Sequence, residues 1–144
     1  MDMSGISIIW LRIKMKQSVL GASLFVGSIP HSVAFYRDML GFEFEGFWDG
    51  EKNTLTWGHS IEQPRYASFR LGESKLGLFL NEGDKVVGNA GVFHMMVPDV
   101  KDYHRTLKER GLFVKPPVDA SCDTCILTID DPDGHLWNFY SVTA

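Results

Sequence analysis

Hydrophobic residues along this chain change their period in a regular order. From Leu20 to Val26 apolar side chains run almost unbroken; Gly27 and Ser28 follow, and then Val33, Tyr36 and Leu40 recur at helical spacing before Gly41. The order returns later, with an apolar run from Gly91 to Val97, then Pro98 and Asp99, then Val100, Tyr103 and Leu107 on one helical face before Gly111. Val26 and Val97, Ser28 and Asp99, Ile29 and Val100 are each separated by 71 residues, so the repeat needs no gap through the strand and the helix start. The spacing predicts helices over 29–40 and 100–110. Ser28 and Asp99 suit the N-cap, because their side-chain oxygens accept from free first-turn amides, and Gly41 and Gly111 suit a left-handed C-cap.

After each helix the pattern alternates with period two. In the first half this covers Phe42 to Glu45, with Glu43 and Glu45 as a solvated face, then Tyr66–Leu71 and Lys75–Leu80. In the second half it covers Phe113–Lys115, Cys122–Ile129 and Leu136–Val142. Asp131-Pro132-Asp133-Gly134 predicts a type I turn that makes the last two strands a hairpin. Each half is then β-α-β-β-β: residues 19–85 form one module and 86–144 a second, after an N-terminal extension of residues 1–18. The fold class is α+β, with two tandem modules whose sheets form a curved mixed surface around a concave cavity. The polar excursion from Asp49 to Arg65 is either a lid or a plain hairpin carrying Leu55 and Trp57.

Composition narrows the partners. Lys plus Arg is 14 against 18 for Asp plus Glu, and without a basic run the chain lacks the footprint that nucleic acid requires. The resulting net charge of −4 is what keeps an ordinary protein in solution and only slightly favours a cationic ligand. The apolar run Ile6–Leu11 is far shorter than a membrane span of about 20 residues, and its positive charges follow it instead of preceding it. With only two cysteines the expected location is the cytoplasm.

The words Ser32-Val33-Ala34-Phe35-Tyr36-Arg37-Asp38-Met39-Leu40-Gly41-Phe42 and Asp131-Pro132-Asp133-Gly134-His135-Leu136-Trp137, set on a duplicated β-α-β-β-β frame, resemble the vicinal oxygen chelate superfamily of glyoxalases, bleomycin resistance proteins and extradiol dioxygenases. The resemblance covers roughly residues 19–142 and implies a glyoxalase-like fold. In metal-dependent relatives four strands each supply a His or Glu ligand. Counted from the motifs, those positions carry Gly21, Gly77, Val92 and Asn138 here. Glycine and valine offer no donor and an Asn carbonyl binds weakly, so the expectation is no metal and no cofactor.

The polar and aromatic residues spaced by twos from the vacated positions are the candidate ligand-binding set: Ser23, Phe25, Phe79, Asn81, His94, Met96, Asn138 and Tyr140, with Trp57 and His59 as lid residues. His94 is the best candidate for an acid/base role, and equally a buried structural histidine. The pair Cys122 and Cys125 leads into a strand instead of opening a helix, which argues against redox chemistry. Asp130, Asp131 and Asp133 are explained by the turn they build. Three functions stand open: a metal-free binding protein that sequesters an antibiotic or other amphipathic molecule; a lyase, isomerase or dioxygenase of the same superfamily with an atypical or absent metal site; or a dimeric interaction module without a ligand. Concave sheet faces in need of a partner predict a homodimer.

Overall fold

The computed structural model describes residues 21–49, 54–56, 64–83, 91–120 and 123–142. In chain order the elements are β1 (Gly21–Val26), α1 (Ile29–Ala34) running directly into a π-helical turn (Phe35–Met39), β2 (Glu43–Asp49), β3 (Thr54–Thr56), β4 (Tyr66–Leu71) and β5 (Ser74–Leu80). The second half supplies β6 (Val92–Met96), α2 (Val100–Glu109), β7 (Val118–Ala120), β8 (Thr124–Asp130) and β9 (Leu136–Val142). Two mixed sheets result, ordered β1-β5-β4-β2-β3 and β6-β9-β8-β7, each opening with a parallel pair between its module's first and last strands. This is the α+β, two-module architecture that the duplicated pattern predicts.

Local chemistry explains both helices. The Ser28 hydroxyl accepts from His31 N at 3.3 Å, and the Asp99 carboxylate accepts from Lys101 N and Asp102 N. Gly41 and Gly111 close them at φ +81° and +90°, the left-handed region where a side chain would be strained. The first helix departs from the expected α-form at its end, where Leu40 N donates to Phe35 O five residues back.

Two strand expectations are corrected, and a third is resolved. The second-half strand placed at Phe113–Lys115 falls instead at Val118–Ala120, beyond Pro116 and Pro117, which have no N–H to give a ladder. Of the two forms open to the 49–65 excursion, it begins as the hairpin, β3 pairing antiparallel with β2. Glu45, expected on a solvated face beside Glu43, is only 6% exposed. A register shift between Phe44 and Gly46 leaves Glu45 as the extra residue of a β-bulge, folded against β4 and outside the ladder, while Glu43 stays exposed.

One core joins the modules. Leu24, Val26, Leu76 and Leu78 from the first sheet lie in the same buried cluster as Leu127, Ile129, Trp137 and Phe139 from the second. Aromatic rings cross the seam: Tyr36 meets Trp137 at 5.8 Å and Phe42 meets it at 5.5 Å. Hydrogen bonds clasp it. The Tyr36 hydroxyl donates to Asp131 Oδ2 at 2.5 Å and accepts from Trp137 Nε1 at 3.0 Å. Asp133 accepts from Gly27 N and from the Ser32 hydroxyl, and His135 Nε2 lies 2.8 Å from Phe25 O. From the other direction, the Tyr103 hydroxyl donates to Leu40 O and Arg110 donates to Met39 O. The turn expected only to join two strands therefore also locks the second module to the first.

Candidate ligand-binding site

Alternation along each strand turns one side chain in two away from the core. On the first sheet these outward residues form three rows across the ladder. Phe25, Phe79 and Tyr66 are in register in an aromatic row; Ser23, Gly77 and Ser68 make a small polar row; Gly21, Lys75, Arg70 and Glu43 make a charged row. On the second sheet the corresponding rows are Met96, Tyr140 and Ile126; His94, Asn138 and Thr128; and Val92, Leu136 and Asp130.

The polar row of the first sheet is shaped by a glycine. A Cβ on Gly77 would stand 2.9 Å from both Cε2 and Oη of Tyr66 and 3.1 Å from Ser23 Oγ, so only glycine lets the phenol fold across β5 toward Ser23. Its ring packs 4.7 Å from that of Phe79, which is 41% exposed. Neither the Tyr66 nor the Ser23 hydroxyl has a hydrogen-bond partner among the described residues. Beside this row, buried Glu45 accepts from the Ser68 hydroxyl at 2.9 Å and stands 3.5 Å from Arg70 Nη2 and 3.7 Å from Lys75 Nζ.

The predicted residues divide between the two faces. Ser23, Phe25 and Phe79 share the outer face of the first sheet, and Asn81 follows β5, its N–H donating to Val26 O. His94 with Asn138, and Met96 with Tyr140, are direct ladder neighbours on the second. Among the described residues no backbone pairing joins the two sheets, so within one chain the predicted residues lie on two separate sheet faces. Trp57 and His59 lie outside the described residues.

His94 is exposed and makes no hydrogen bond among the described residues, so the reading of it as a buried structural histidine is corrected: β6 is a sheet edge with no fully buried residue. It helps to line a cavity of about 510 Å³ between β6 and the β1 and β5 ends, with Ala22, Leu76, Met95 and Lys75 among its walls. Tyr66, Ser68, Arg70, Lys75 and Glu45 are absent from the sequence-predicted set. The period of two continued along β5 from Gly77 reaches Lys75, whereas Tyr66, Ser68 and Arg70 join the face only through the register of β4 on β5, and the bulge hides Glu45.

The residues at the four chelate positions do not fit a metal. Gly21, Gly77 and Val92 have no donor, and the Asn138 carboxamide oxygen already accepts from the Thr128 hydroxyl at 2.8 Å. Among the described residues no group of three His, Cys, Asp or Glu side chains is placed to hold one. Cys125 is buried within β8 and its thiol is pushed up, first by burial and then by Asp119, which opposes thiolate chemistry. Cys122 lies outside the described residues. The hydroxyls of Tyr36 and Tyr103 are raised well above their ordinary value, both chiefly by burial and Tyr36 additionally by Asp131, so both serve as structural donors. No helix among the described residues is long and apolar enough to cross a membrane.

The model of the Glyoxalase/Bleomycin resistance protein/Dioxygenase superfamily matches residues 18–139. The chain belongs to this superfamily. Similar solved structures include TioX from Micromonospora sp. ML1, at 18% identity and TM-score 0.68, covering 88% of this chain and 100% of that one. A superfamily member from Sphaerobacter thermophilus DSM 20745 aligns at 21% identity and TM-score 0.66 over 88% of this chain and 98% of its own. A glyoxalase / bleomycin resistance protein from Catenulispora Acidiphila DSM 44928 aligns at 20% identity and TM-score 0.64, covering 88% and 100%. At these identities the likeness shows the superfamily fold alone. No curated protein matches the chain.

Proposed function

We propose that this superfamily member is a metal-free small-molecule-binding protein of the bleomycin resistance type, cytoplasmic and homodimeric, which sequesters an amphipathic compound such as an antibiotic. The observation that carries the reading is the donor set at the chelate positions: two glycines, a valine, and an asparagine whose oxygen is already engaged by Thr128. What remains is a face of aromatic rings with a few hydroxyl and amide groups, suited to orient an organic molecule by stacking and by two or three hydrogen bonds. Homodimerisation would bring the first-sheet face of one chain against the second-sheet face of its partner, completing a lining that one chain splits in two. Residues 1–18 are then an extension of modules 19–85 and 86–144.

Thermal stabilisation across a ligand panel tests this, because a ligand that binds only the native state raises its melting temperature. The expected result is stabilisation by aromatic, amphipathic compounds without added metal, lost in part in His94→Ala and Asn138→Ala at about 1–3 kcal/mol each. Stoichiometric zinc, iron, nickel or manganese in freshly purified protein would overturn the metal-free reading. Light scattering at micromolar concentration tests assembly; a species of 16.3 kDa would refute the dimer.

A second reading is favoured by one observation, the unpartnered imidazole of His94 at the wall of the cavity. There it would serve as the proton acceptor of a metal-free isomerase or lyase, or sit beside the displaced site of a dioxygenase. Turnover of a bound compound, abolished in His94→Ala while binding persists, would establish it.

A further inference from the structure

We infer that the outer face of the first sheet selects an aromatic molecule carrying a carboxylate or similar anionic group; this rests on the small-molecule-binding reading and names its ligand class. The three rows on that face form a gradient. The aromatic row offers the Phe79 ring, with Tyr66 packed at 4.7 Å against it. Four residues along the same strands, Lys75 and Arg70 stand directly across the ladder from one another. At about 3.3 Å per residue, the two rows are about 13 Å apart along the backbone. Tyr66 folds over the intervening Gly77, and from the other side Arg70 and Lys75 approach Glu45, which is bonded to Ser68 of the middle row, so the gap left between ring and cations suits a two-ring molecule.

Two like charges placed directly opposite repel, and something must hold them there. Glu45 does so. Its buried carboxylate takes the Ser68 hydroxyl and lies 3.5 and 3.7 Å from the two cations, longer than the roughly 2.7–2.9 Å of a full charge-assisted hydrogen bond. One carboxylate shared between two cations leaves most of their N–H donors unspent, and both side chains remain about half exposed, at 51% and 48%. A guanidinium presents five donors in a planar fork that matches a carboxylate. Glu43 lies across from Arg70 on the same row without forming an ion pair, so it is a solvated charge that tempers the site without filling it. In the middle row the unpartnered hydroxyls of Ser23 and Tyr66 converge over Gly77, ready for a ring oxygen or amide. The overall charge of −4 points toward cations, but the local arrangement points the other way, because Coulomb interactions at contact outweigh a distributed charge screened within about 10 Å.

Calorimetry on the full chain with three probes of one shape tests the inference: 2-naphthoate, 2-naphthalenemethanol and 2-naphthylmethylamine. The acid should bind about tenfold more tightly than the alcohol, and the cationic amine most weakly. Lys75→Met or Arg70→Met should bring the acid close to the alcohol while leaving the alcohol unchanged, and each still leaves Glu45 one cation and Ser68. Glu43→Gln should strengthen the acid about twofold, and Phe79→Ala should weaken all three probes. Acid and alcohol binding equally, both dependent on Phe79, would overturn the anion selectivity and leave the binding function standing. Preference for the amine would overturn it too. Absence of binding by every probe at millimolar concentration would sink both readings.

Discussion

The strands β1 and β6 stand 71 residues apart in equivalent places, each running parallel to the last strand of its module, and they are not equally finished. β1 buries Leu24 and Val26 almost completely, while their counterparts Met95 and Val97 are only half-buried and Met96, the counterpart of Phe25, is 66% exposed. The outer faces differ as well. Where the first sheet has Ser23, Gly77 and Ser68 between an aromatic and a basic row, the second has His94, Asn138 and Thr128 between Met96 with Tyr140 and Val92 with Leu136. Duplication preserved caps, periods and core direction, the parts that fold the chain. It left the outward residues free to diverge, and so function is to be sought in the difference between the halves.

The largest test sets the two strands against each other. Leu24→Ala should destabilise by about 3–4 kcal/mol, through lost burial and a cavity, and the equivalent Met95→Ala by about 1 kcal/mol, both by denaturant unfolding of dilute protein. An equal loss would mean that β6 is covered in solution, sharpening the case for a dimer partner there.

Next come the two β-turns that close the modules. Asp131→Ala removes the acceptor for Tyr36 Oη and for the amides of Asp133 and His135, and should cost about 2–3 kcal/mol. Glu73→Ala, in the matching turn between β4 and β5, breaks no such contact and should change stability by less than about 0.5 kcal/mol. Similar losses would refute the clasp.

Alkaline pH probes the seam from both sides. Tyr36 and Tyr103 are held above their ordinary 10.0 in the folded protein, mainly by burial. In the unfolded chain they ionise above pH 10, so the unfolded state then binds fewer protons and stability falls as pH rises. Their contribution is complete below pH 10 and declines above it by about 1.4 kcal/mol per pH unit per tyrosine. Tyr36→Phe should remove one of these two contributions from the slope of unfolding free energy between pH 10 and 11; an unchanged slope would show that Tyr36 ionises in place.

The smallest contrast is between the caps. Asp99 takes two amides and Ser28 takes one at 3.3 Å, so Asp99→Ala should cost about 1–1.5 kcal/mol and Ser28→Ala about 0.5 kcal/mol, read by thermal unfolding. A reversed order would show that helix ends in the two modules are stabilised by packing and not by their caps.

The features legible in the sequence are those whose causes lie within a few residues. Ser28 and Asp99 announce helix starts because a cap bonds amides two or three positions on, Gly41 and Gly111 announce ends because the left-handed turn excludes side chains, and alternation names the outward faces of β1, β5, β6 and β9. The missing chelate donors were likewise visible as residue types at counted positions. Tertiary structure decided what depends on chain segments meeting from far away. Glu45 was hidden because a bulge at Gly46 is set by pairing with β4 and not by its own neighbours. Tyr66 was missed because its place over Gly77 depends on the register of two strands. In the sequence Asp131 and Asp133 are complete as turn residues, and only the fold brings Tyr36, Ser32 and Gly27 within reach of their carboxylates. Whether the two sheet faces meet one ligand was beyond the sequence for the same reason: it is set by how sheets, and then chains, come together, and no local pattern of residues encodes that distance.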